Sequence, residues 1–394
     1  MEAYLLEWAN LLLRWLHVIV AIAYIGSSFY FVWLDNSLRP PADEALRAKG
    51  VAGELWAVHA GAFYNPQKYA LAPPHLPRDL HWFYWEAYST WLSGFALFSV
   101  LYLFNPKVFL IDPNVADITP TVAVLAALGF LAAGWLVYDM LCRVLEKQEK
   151  LLAVLVALYL GAVAWGACHL FSGRAAFLIT GAVMATIIAA NVFFIIIPNQ
   201  RKMVAAMKAG EAVDPILSKR SKHRSMHNSY VTLPVIFGMI SNHYSLTYSH
   251  KDNWLVLVAI MAAGALIRHY YIQRHKHKGN LAYPAAALAI LAAVIVWIAP
   301  APPAASATGS AAVDIAQVQK IMEARCIQCH AAKPSLMPIP AKGILLDSPE
   351  AVRSHAQAIY QQVVVSKAMP LGNMTKITDE ERAAIATWFQ AGAK

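Results

Sequence analysis

The sequence predicts an all-α fold in two parts, a polytopic membrane bundle of about eight helices and a small soluble domain. Of its 394 residues, 59% are hydrophobic and 14% are charged, whereas soluble domains carry about 25% charged residues. The apolar residues collect in eight runs before residue 300, and the composition after residue 312 is that of a soluble domain. We therefore divide the chain into a membrane domain (1–300), a linker rich in Pro, Ala and Ser (301–312) and a soluble domain (313–394).

Each apolar run is long enough to cross a bilayer, which takes about 20 residues in a helix. The predicted spans are Ala9–Leu34, His81–Phe104, Thr121–Leu141, Lys150–Phe171, Ala175–Pro198, Asn228–Tyr248, Asp252–Ile272 and Leu281–Pro300. The first span is predicted to be retained, because residues 1–10 lack the Lys and Arg of a cleaved signal peptide. The sixth span is the weakest, since it contains Pro234 and the polar run Ser241-Asn242-His243.

The motif Cys326-Ile-Gln-Cys329-His330 is typical of a covalent c-type haem site. In such a site the two thiols bond to the haem edge and the His ligates the iron. A zinc knuckle and a redox CxxC pair are the alternatives, but neither requires the adjacent His. Because bacteria attach c-type haem outside the cytoplasmic membrane, the motif predicts a periplasmic soluble domain.

The distribution of basic residues predicts the same topology independently. Eighteen Lys and Arg residues fall in the first, third, fifth and seventh loops, and three fall in the other loops. Because cytoplasmic loops carry an excess of Lys and Arg, the N-terminus and the soluble domain are predicted to be periplasmic, on a bacterial inner-membrane protein. The net charge of +9 therefore reflects topology and does not indicate nucleic-acid binding.

The soluble domain resembles a class I cytochrome c. An apolar helical pattern leads into the haem motif, and a second helix is predicted to begin at Thr378 with Glu381 completing a capping box. In that family a Met before the last helix, often followed by Pro, is the sixth iron ligand, and Met369 holds this position. The alternatives are Met374, Met337 and His355. A thioether ligand raises the haem potential relative to two His ligands, which suits an electron acceptor.

Ionisable side chains inside membrane spans are costly and indicate function. In the first span, helical spacing puts Asn10, Arg14, His17, Ala21, Tyr24 and Ser28 on one stripe, which is predicted to face inward. His17, together with His169 or His243, is a candidate ligand set for a b-type haem in the periplasmic half. The alternative is a buried His17 that a neighbouring helix satisfies.

Two polar segments near the cytoplasmic side leave alternatives open. His223 and His227 lie four residues apart, which suits either a metal pair or a solvated basic helix end. Residues 54–69 of the first loop mix aromatic, amide and charged side chains. They suit an interfacial amphipathic helix or the wall of a pocket for a planar polar ligand.

Five stretches resemble the membrane-bound, cytochrome c-fused urate oxidases of bacteria. They are residues 15–40, 53–59, 81–88, 222–228 and 241–244, and the likeness extends over nearly the whole chain. The resemblance implies oxidation of urate with water to 5-hydroxyisourate, with two electrons passed to the haem c and no peroxide formed. A periplasmic cytochrome c or a terminal oxidase would then accept the electrons.

Within this resemblance, polar residues near the cytoplasmic side are candidates for the reaction. Glu86 and His227 are candidate bases that would take a proton from urate or from the attacking water. The candidates for binding urate are His59, Gln67, Asn228 and Arg268.

Electrons from that side must cross an apolar core of about 30 Å, and an intramembrane b-type haem is therefore predicted as a relay. The alternative function is a quinol-oxidising electron-transfer subunit without urate chemistry. The sequence leaves the oligomeric state open.

Overall fold

A computed structural model describes residues 2–276, 278–299, 313–337 and 339–394. It confirms the predicted all-α fold, with long apolar helices in the N-terminal part and short helices in the C-terminal part. The predicted linker lies outside the described residues. Among the described residues, one hydrophobic core lies within residues 98–261 and another within residues 318–388, and Ala87, Val192 and Ile197 form a third, small cluster.

The N-terminal part is a bundle of helices in which the chain passes back and forth. In order they are α1 (Glu2–Ser37), α2 (Glu44–Ala48), α3 (Trp85–Phe98), α4 (Pro106–Phe109), α5 (Pro120–Val144), α6 (Glu149–Leu170), α7 (Gly173–Ala190), α8 (Ile197–Lys208), α9 (Pro215–Ile240), α10 (Ser245–Tyr248), α11 (Asn253–His275) and α12 (Ala282–Trp297). A π-helical segment, Ser99–Leu103, continues α3, and a second, Asn191–Ile196, joins α7 to α8.

Every predicted span contains helical residues, but the sixth is divided among the end of α9, the turn Ser241–His243 and α10. Five helical stretches of the described chain are long and apolar enough to cross a membrane: Trp8–Ser37, Pro120–Val144, Glu149–Leu170, Gly173–Lys208 and Asn253–His275. Helix α12 is apolar but shorter. Helix α9 begins at Pro215, well before the predicted Asn228, because Asp214 caps it and Pro215 occupies its first turn.

Small residues allow the central helices to pack closely. A Cβ atom added to Gly238 of α9 would lie 2.9 Å from the Cα atom of Gly181 in α7. A Cβ on Gly134 of α5 would lie 2.6 Å from Val183 of α7. Helix α7 therefore approaches α5 and α9 at van der Waals distance, as small residues permit in membrane bundles.

The first loop folds as two small antiparallel ribbons, which corrects the amphipathic-helix alternative. Strand β1 (Val51–Glu54) pairs with β4 (Gln67–Tyr69), and β2 (Ala57–His59) pairs with β3 (Ala62–Tyr64). Ala60 and Gly61 both have positive φ, 49° and 78°, as a two-residue hairpin turn requires. Sequence periodicity did not reveal this local turn.

The two ends of the bundle differ in charge. At one end, here called the basic end, Arg220 pairs with Glu146 at 2.7 Å and Lys222 approaches Asp35 to 4.0 Å. At the other, the docking end, the loops around Phe109, Ser172 and Tyr248 meet the C-terminal part. The loops that are rich in Lys and Arg thus lie away from the C-terminal domain.

The C-terminal domain packs short helices around one core. They are α13 (Ile315–Arg325), α14 (Ile327–His330), α15 (Pro349–Ser354), α16 (Ala356–Ile359) and α17 (Asp379–Gln390). Val318 and Met322 of α13 and Ile385 and Trp388 of α17 are buried in it. The capping box of Thr378 and Glu381 is confirmed, with both reciprocal hydrogen bonds present.

The C-terminal domain contacts the bundle through the loop that follows Met369. A Cβ on Gly372 would lie 2.8 Å from the carbonyl oxygen of Ile111 at the docking end. Beside this contact, a cavity of about 640 Å³ lies between the two parts. Arg174 lines it on the bundle side and Arg382 on the side of the C-terminal domain. The loop that carries the predicted iron ligand therefore faces the bundle.

Candidate functional site

Three consecutive residues of α9 join four other segments of the bundle. His227 Nδ1 lies 2.8 Å from the Tyr138 hydroxyl of α5. The Asn228 Oδ1 atom accepts a hydrogen bond from Asn191 at 2.8 Å, and its side chain also interacts with Tyr24 of α1. The carbonyl of Ser229 accepts a hydrogen bond from Arg268 of α11 at 3.2 Å. Residues 227–229 are thus the centre of a buried polar cluster.

Arg224 fixes the direction of the hydrogen bonds in this cluster. Its guanidinium has only donors, so Asn191 must accept with Oδ1, at 3.3 Å, and donate with Nδ2. Asn191 Nδ2 donates to the Tyr138 oxygen at 3.2 Å, which directs the Tyr138 proton toward His227 Nδ1. Asp139 holds Arg224 by an ion pair of 2.6 Å. This arrangement favours His227 Nδ1 as an acceptor, and Cys142 Sγ lies 3.9 Å from the same atom.

Arg268 is a buried cation that pairs with no carboxylate of the described residues. It is 5% exposed, its Cζ atom lies 4.1 Å from the centre of the Phe29 ring, and Nε donates to the Ser229 carbonyl. Its Nη2 atom is buried and has no hydrogen-bond partner among the described residues. Because a buried charge needs compensation, this nitrogen is ready to bind an anion.

Glu86 lies at the start of α3 beside α1. Its Oε2 atom is buried and forms no hydrogen bond within the described chain. One turn later, Thr90 donates to the carbonyl of Val20, which ties this end of α3 to α1. Glu86 thus offers a second buried polar atom without a partner, of opposite charge to Arg268.

The structure places the other predicted urate ligands outside this cluster. His59 is exposed on β2, opposite Ala62 in the hairpin. Gln67 is exposed on β4 and donates to Asn65, which in turn donates to Glu54 at 3.0 Å. No hydrogen bond or ring contact of the described residues joins His59 or Gln67 to Arg268 or Glu86. Their roles stay predictions.

The three histidines proposed for an intramembrane haem have different environments. His17 is half-buried, and its Nδ1 atom lies 3.0 Å from the Ser93 hydroxyl. His243 is exposed in the turn Ser241–His243 at the docking end. His169 is exposed on α6 beside Trp165, whose carbonyl accepts from its Nδ1. Because Ala167 and Cys168 take the buried positions on α6, His169 faces outward, contrary to the inward position predicted.

The pair His223 and His227 does lie on one face of a helix, with ring centres 4.3 Å apart. No further His, Cys, Asp or Glu of the described chain completes a metal-binding group with them. His223 lines a cavity of about 660 Å³ at the basic end, together with Arg220, Lys222 and Glu146. The histidine pair therefore connects the polar cluster to the basic end.

In the C-terminal domain, His330 is oriented as an iron ligand requires. Its Nδ1 atom lies 3.3 Å from the carbonyl oxygen of Ile344. Since a carbonyl only accepts, Nδ1 carries the proton and the Nε2 lone pair is free to bind a metal. Burial also lowers the pKa of His330, which favours the neutral imidazole.

The two cysteines of the motif suit covalent attachment better than a redox pair. Cys326 ends α13, and Cys329 follows in the short helix α14. Burial raises the pKa of the Cys326 thiol to about 12 and raises that of Cys329 as well. Reactive CxxC pairs have lowered thiol pKa values instead. The residues present therefore fit a c-type haem.

Met369 is held by Arg382 of α17. The Arg382 guanidinium donates to the carbonyl of Met369 at 2.9 Å and to the carbonyl of Val363. The Met369 side chain packs against the domain core. The alternatives Met374, Met337 and His355 are partly buried, and His355 interacts with His330. The assignment of the sixth ligand to Met369 stays a prediction.

Sequence reasoning missed three members of the polar cluster, Tyr138, Asn191 and Arg224. Asn191 offered a signal, because it is an isolated amide within an apolar run and is fully buried. It also begins a π-helical segment, a feature that often marks functional sites. The partners of each residue depend on helix packing, which the sequence pattern does not give.

The comparisons with known proteins give one match. A family model described as urate oxidase N-terminal matches residues 3–299, which comprise the whole helical bundle. Neither the curated proteins nor the solved structures contain a match to the chain.

Proposed function

We propose a urate-oxidising function for this chain, which belongs to the urate oxidase N-terminal family. The observation that carries the proposal is Arg268, a buried guanidinium whose Nη2 atom has no hydrogen-bond partner, and which has no carboxylate partner, within the part of the chain that the structure describes. An anion such as urate would supply the missing charge. The match ends at residue 299, so the role of the C-terminal domain rests on its own residues.

The proposed reaction converts urate and water to 5-hydroxyisourate, two protons and two electrons. A bond forms between the water oxygen and carbon 5 of urate. One proton leaves the water and one leaves a urate nitrogen, while two electrons leave the ring. No oxygen is reduced in this balance, so no peroxide is formed.

Three residues would serve substrate binding and proton transfer. Arg268 would bind the urate anion, aided by the aromatic face of Phe29 beneath it. Glu86 has a buried, unpartnered carboxylate oxygen and would take a proton from urate or from water. Asn228 would orient an amide edge of the substrate, because its neighbours Asn191 and Tyr24 fix it.

His227 is a weaker candidate for the base than Glu86. Its Nδ1 atom is occupied by the Tyr138 hydroxyl, and only Nε2, which carries the proton, is left to act. We therefore assign His227 the role of positioning the Tyr138–Asn191–Asn228 chain. This assignment separates two residues that the sequence treated as equivalent.

The electrons are proposed to pass to a c-type haem in the C-terminal domain. Cys326 and Cys329 would hold it covalently, with His330 and Met369 as axial ligands. When bound, such a haem accepts one electron at a time at a potential that a thioether ligand raises. A periplasmic cytochrome c or a terminal oxidase would then remove the electrons.

Between the urate site and the c-type haem, we propose an intramembrane electron relay that His17 ligates. In the structure Arg268 belongs to the polar cluster, while the C-terminal domain contacts the docking end. His17 lies nearer the start of α1 than Tyr24, which interacts with the cluster. A b-type haem there would stand between the two sites.

We place the protein in the bacterial inner membrane, with its N-terminus and C-terminal domain in the periplasm. The support is the segregation of basic loops to the end opposite the C-terminal domain, because Lys and Arg favour the cytoplasmic side.

The test is an optical measurement on the purified, oxidised full-length protein without oxygen. Addition of urate is expected to produce the α-band of a reduced c-type haem, and 5-hydroxyisourate is expected to form at one molecule per two electrons. Reduction by ubiquinol with no response to urate would overturn the proposal in favour of a quinol-linked electron carrier. Peroxide as a stoichiometric product would overturn the electron route.

A further inference from the structure

A second group of polar side chains lies at the docking end, separate from the Arg268 cluster. The side chains of Arg174 and Asn242 lie near the Tyr102 hydroxyl, and the charge of Arg14 of α1 is also felt there. The positive charges of Arg14 and Arg174 also lie near His243. These residues come from α1, the π-helical segment after α3, α7 and the turn after α9, and we call them the docking-end cluster.

Three atoms of the docking-end cluster are buried and form no hydrogen bond of normal geometry with the described residues. They are the Tyr102 hydroxyl oxygen, Arg174 Nε and Asn242 Oδ1. Tyr102 is 2% exposed, so water is excluded from its hydroxyl group. A buried polar group without a partner is costly, and two of these three groups are hydrogen-bond donors. The cluster is therefore built to receive an acceptor.

The docking-end cluster is also positively charged. Arg14 and Arg174 take part in none of the ion pairs of the described side chains. Arg14 donates to Asn10 at 3.2 Å, and Arg174 lies over the Phe109 ring at 5.6 Å. Lys342 of the C-terminal domain adds a third positive charge near His243. Uncompensated cations beside buried donors favour an anionic acceptor.

His17 lies about one helical turn from Arg14, toward the middle of the bundle. Ser93 donates its hydroxyl proton to the Thr90 carbonyl at 3.1 Å, so its oxygen accepts from His17 Nδ1. The His17 Nε2 lone pair is therefore free, as in His residues that bind a metal. The imidazole lies against Gly94, where an added Cβ would come within 2.8 Å of it. A glycine at this position makes room for the ring.

We propose that Arg14, Arg174, Tyr102 and Asn242 form a binding site for carboxylate groups, which we assign to the two propionates of a non-covalent haem ligated by His17. The assignment rests on the intramembrane relay of the proposed function. The fit is one of donor chemistry: two guanidinium groups, a hydroxyl and an amide would receive two carboxylates. A free carboxylate anion is the other source of the same chemistry.

The test compares Arg174→Gln with Arg174→Lys in the purified full-length protein. Haem is measured as the pyridine haemochrome before and after extraction with acid acetone, which removes only non-covalent haem. We expect extractable haem in the wild type, a loss of at least half of it in Arg174→Gln, and retention in Arg174→Lys. Any extractable haem that Arg174→Gln keeps should have a lower midpoint potential, because a positive charge near it is gone.

Lys251→Gln is the matched control, since it removes an exposed cation that lines the cavity at the same end. Lys251→Gln should leave the extractable haem unchanged. The covalent haem should be equal in all variants, which shows that they fold. If the wild type holds no extractable haem but succinate raises its melting temperature, and Arg174→Gln abolishes that effect, the carboxylate is a free anion.

The proposal is overturned if Arg174→Gln keeps the wild-type haem content and midpoint potential, or if neither haem nor succinate depends on Arg174. Both results are independent of whether urate reduces the c-type haem. If Arg174→Gln shows no effect while urate still reduces the c-type haem, only the carboxylate site is rejected. If urate does not reduce the c-type haem, the proposed function is rejected.

Discussion

The two parts of the molecule assemble their chemistry in opposite ways. In the C-terminal domain, five consecutive residues from Cys326 to His330 carry both thiols and the histidine of the proposed haem site, and the carbonyl of Ile344 accepts from the imidazole. In the bundle, the polar cluster draws on α1, α5, α9, α11 and the π-helical segment at Asn191. A local site survives changes in packing that would dismantle a site shared by five segments.

The largest effect is expected when the local site is removed. Cys326→Ala together with Cys329→Ala should abolish covalent haem completely, because both thioether bonds are lost. Haem staining of a denaturing gel measures this directly. Cys142→Ala and Cys168→Ala are matched controls, since both thiols are buried in the bundle and away from the motif. Covalent haem that persists in the double variant would refute the attachment site.

The second-largest effect is expected in the polar cluster of the bundle, which several helices share. Arg268→Gln should lower kcat/KM for urate by about 100-fold, because loss of one charge-assisted hydrogen bond in a buried site costs about 2–3 kcal/mol. Arg268→Lys should recover only part of the activity, since Lys lacks the planar fork. Steady-state reduction of an artificial electron acceptor provides the measurement.

Arg274→Gln is the control for this prediction, because Arg274 lies on the same helix and is exposed at the basic end. Its kcat/KM should stay within twofold of the wild type. An equal loss in both variants would mean that net charge, and not the buried guanidinium, sets the affinity.

A smaller effect is expected at the contact between the two parts. Gly372→Val should slow reduction of the c-type haem by urate about tenfold, because its Cβ would overlap the Ile111 carbonyl and overpacking costs about 1–3 kcal/mol. Reduction by dithionite, which needs no docking, should be unchanged. Stopped-flow absorbance separates the two rates.

Gly343→Val is the matched control for Gly372→Val. Both glycines have positive φ, +67° and +57°, so both variants carry similar backbone strain. Apart from its chain neighbours, no heavy atom of the described residues lies within 4 Å of a Cβ on Gly343. If both variants slow the urate-driven step equally, strain within the domain and not docking is responsible.

The same contrast explains what the sequence could predict. The capping box and the apolar helix before the CxxCH motif depend on residues within a few positions, so spacing alone predicted them. The spans of the bundle were located for the same reason, because apolar length is a local property. The partners of His227 and Arg268 were not predictable, since they depend on which helices pack together.

His169 and the first loop show where local patterns mislead. A polar residue in an apolar span was assumed to face inward, but His169 satisfies its Nδ1 group on the Trp165 carbonyl of its own helix and so tolerates an outer position. In the first loop, the turn at Ala60 and Gly61 outweighed the amphipathic pattern. In both cases the backbone determined the local structure, through a carbonyl acceptor or a turn, and side-chain periodicity does not reveal such a contribution.

The smallest effect is expected at the capping box of the C-terminal domain. Thr378→Ala removes a hydrogen bond to the backbone of Glu381 and should lower the unfolding free energy by about 1 kcal/mol. Urea unfolding of the full chain, followed by the c-type haem absorbance, reports this domain alone. Thr387→Ala is the control, because its hydroxyl bonds only to the Ala383 carbonyl within the same helix and should change stability by less than about 0.5 kcal/mol. Equal stability of both variants would mean that packing of Ile385 and Trp388, and not the cap, determines where α17 begins.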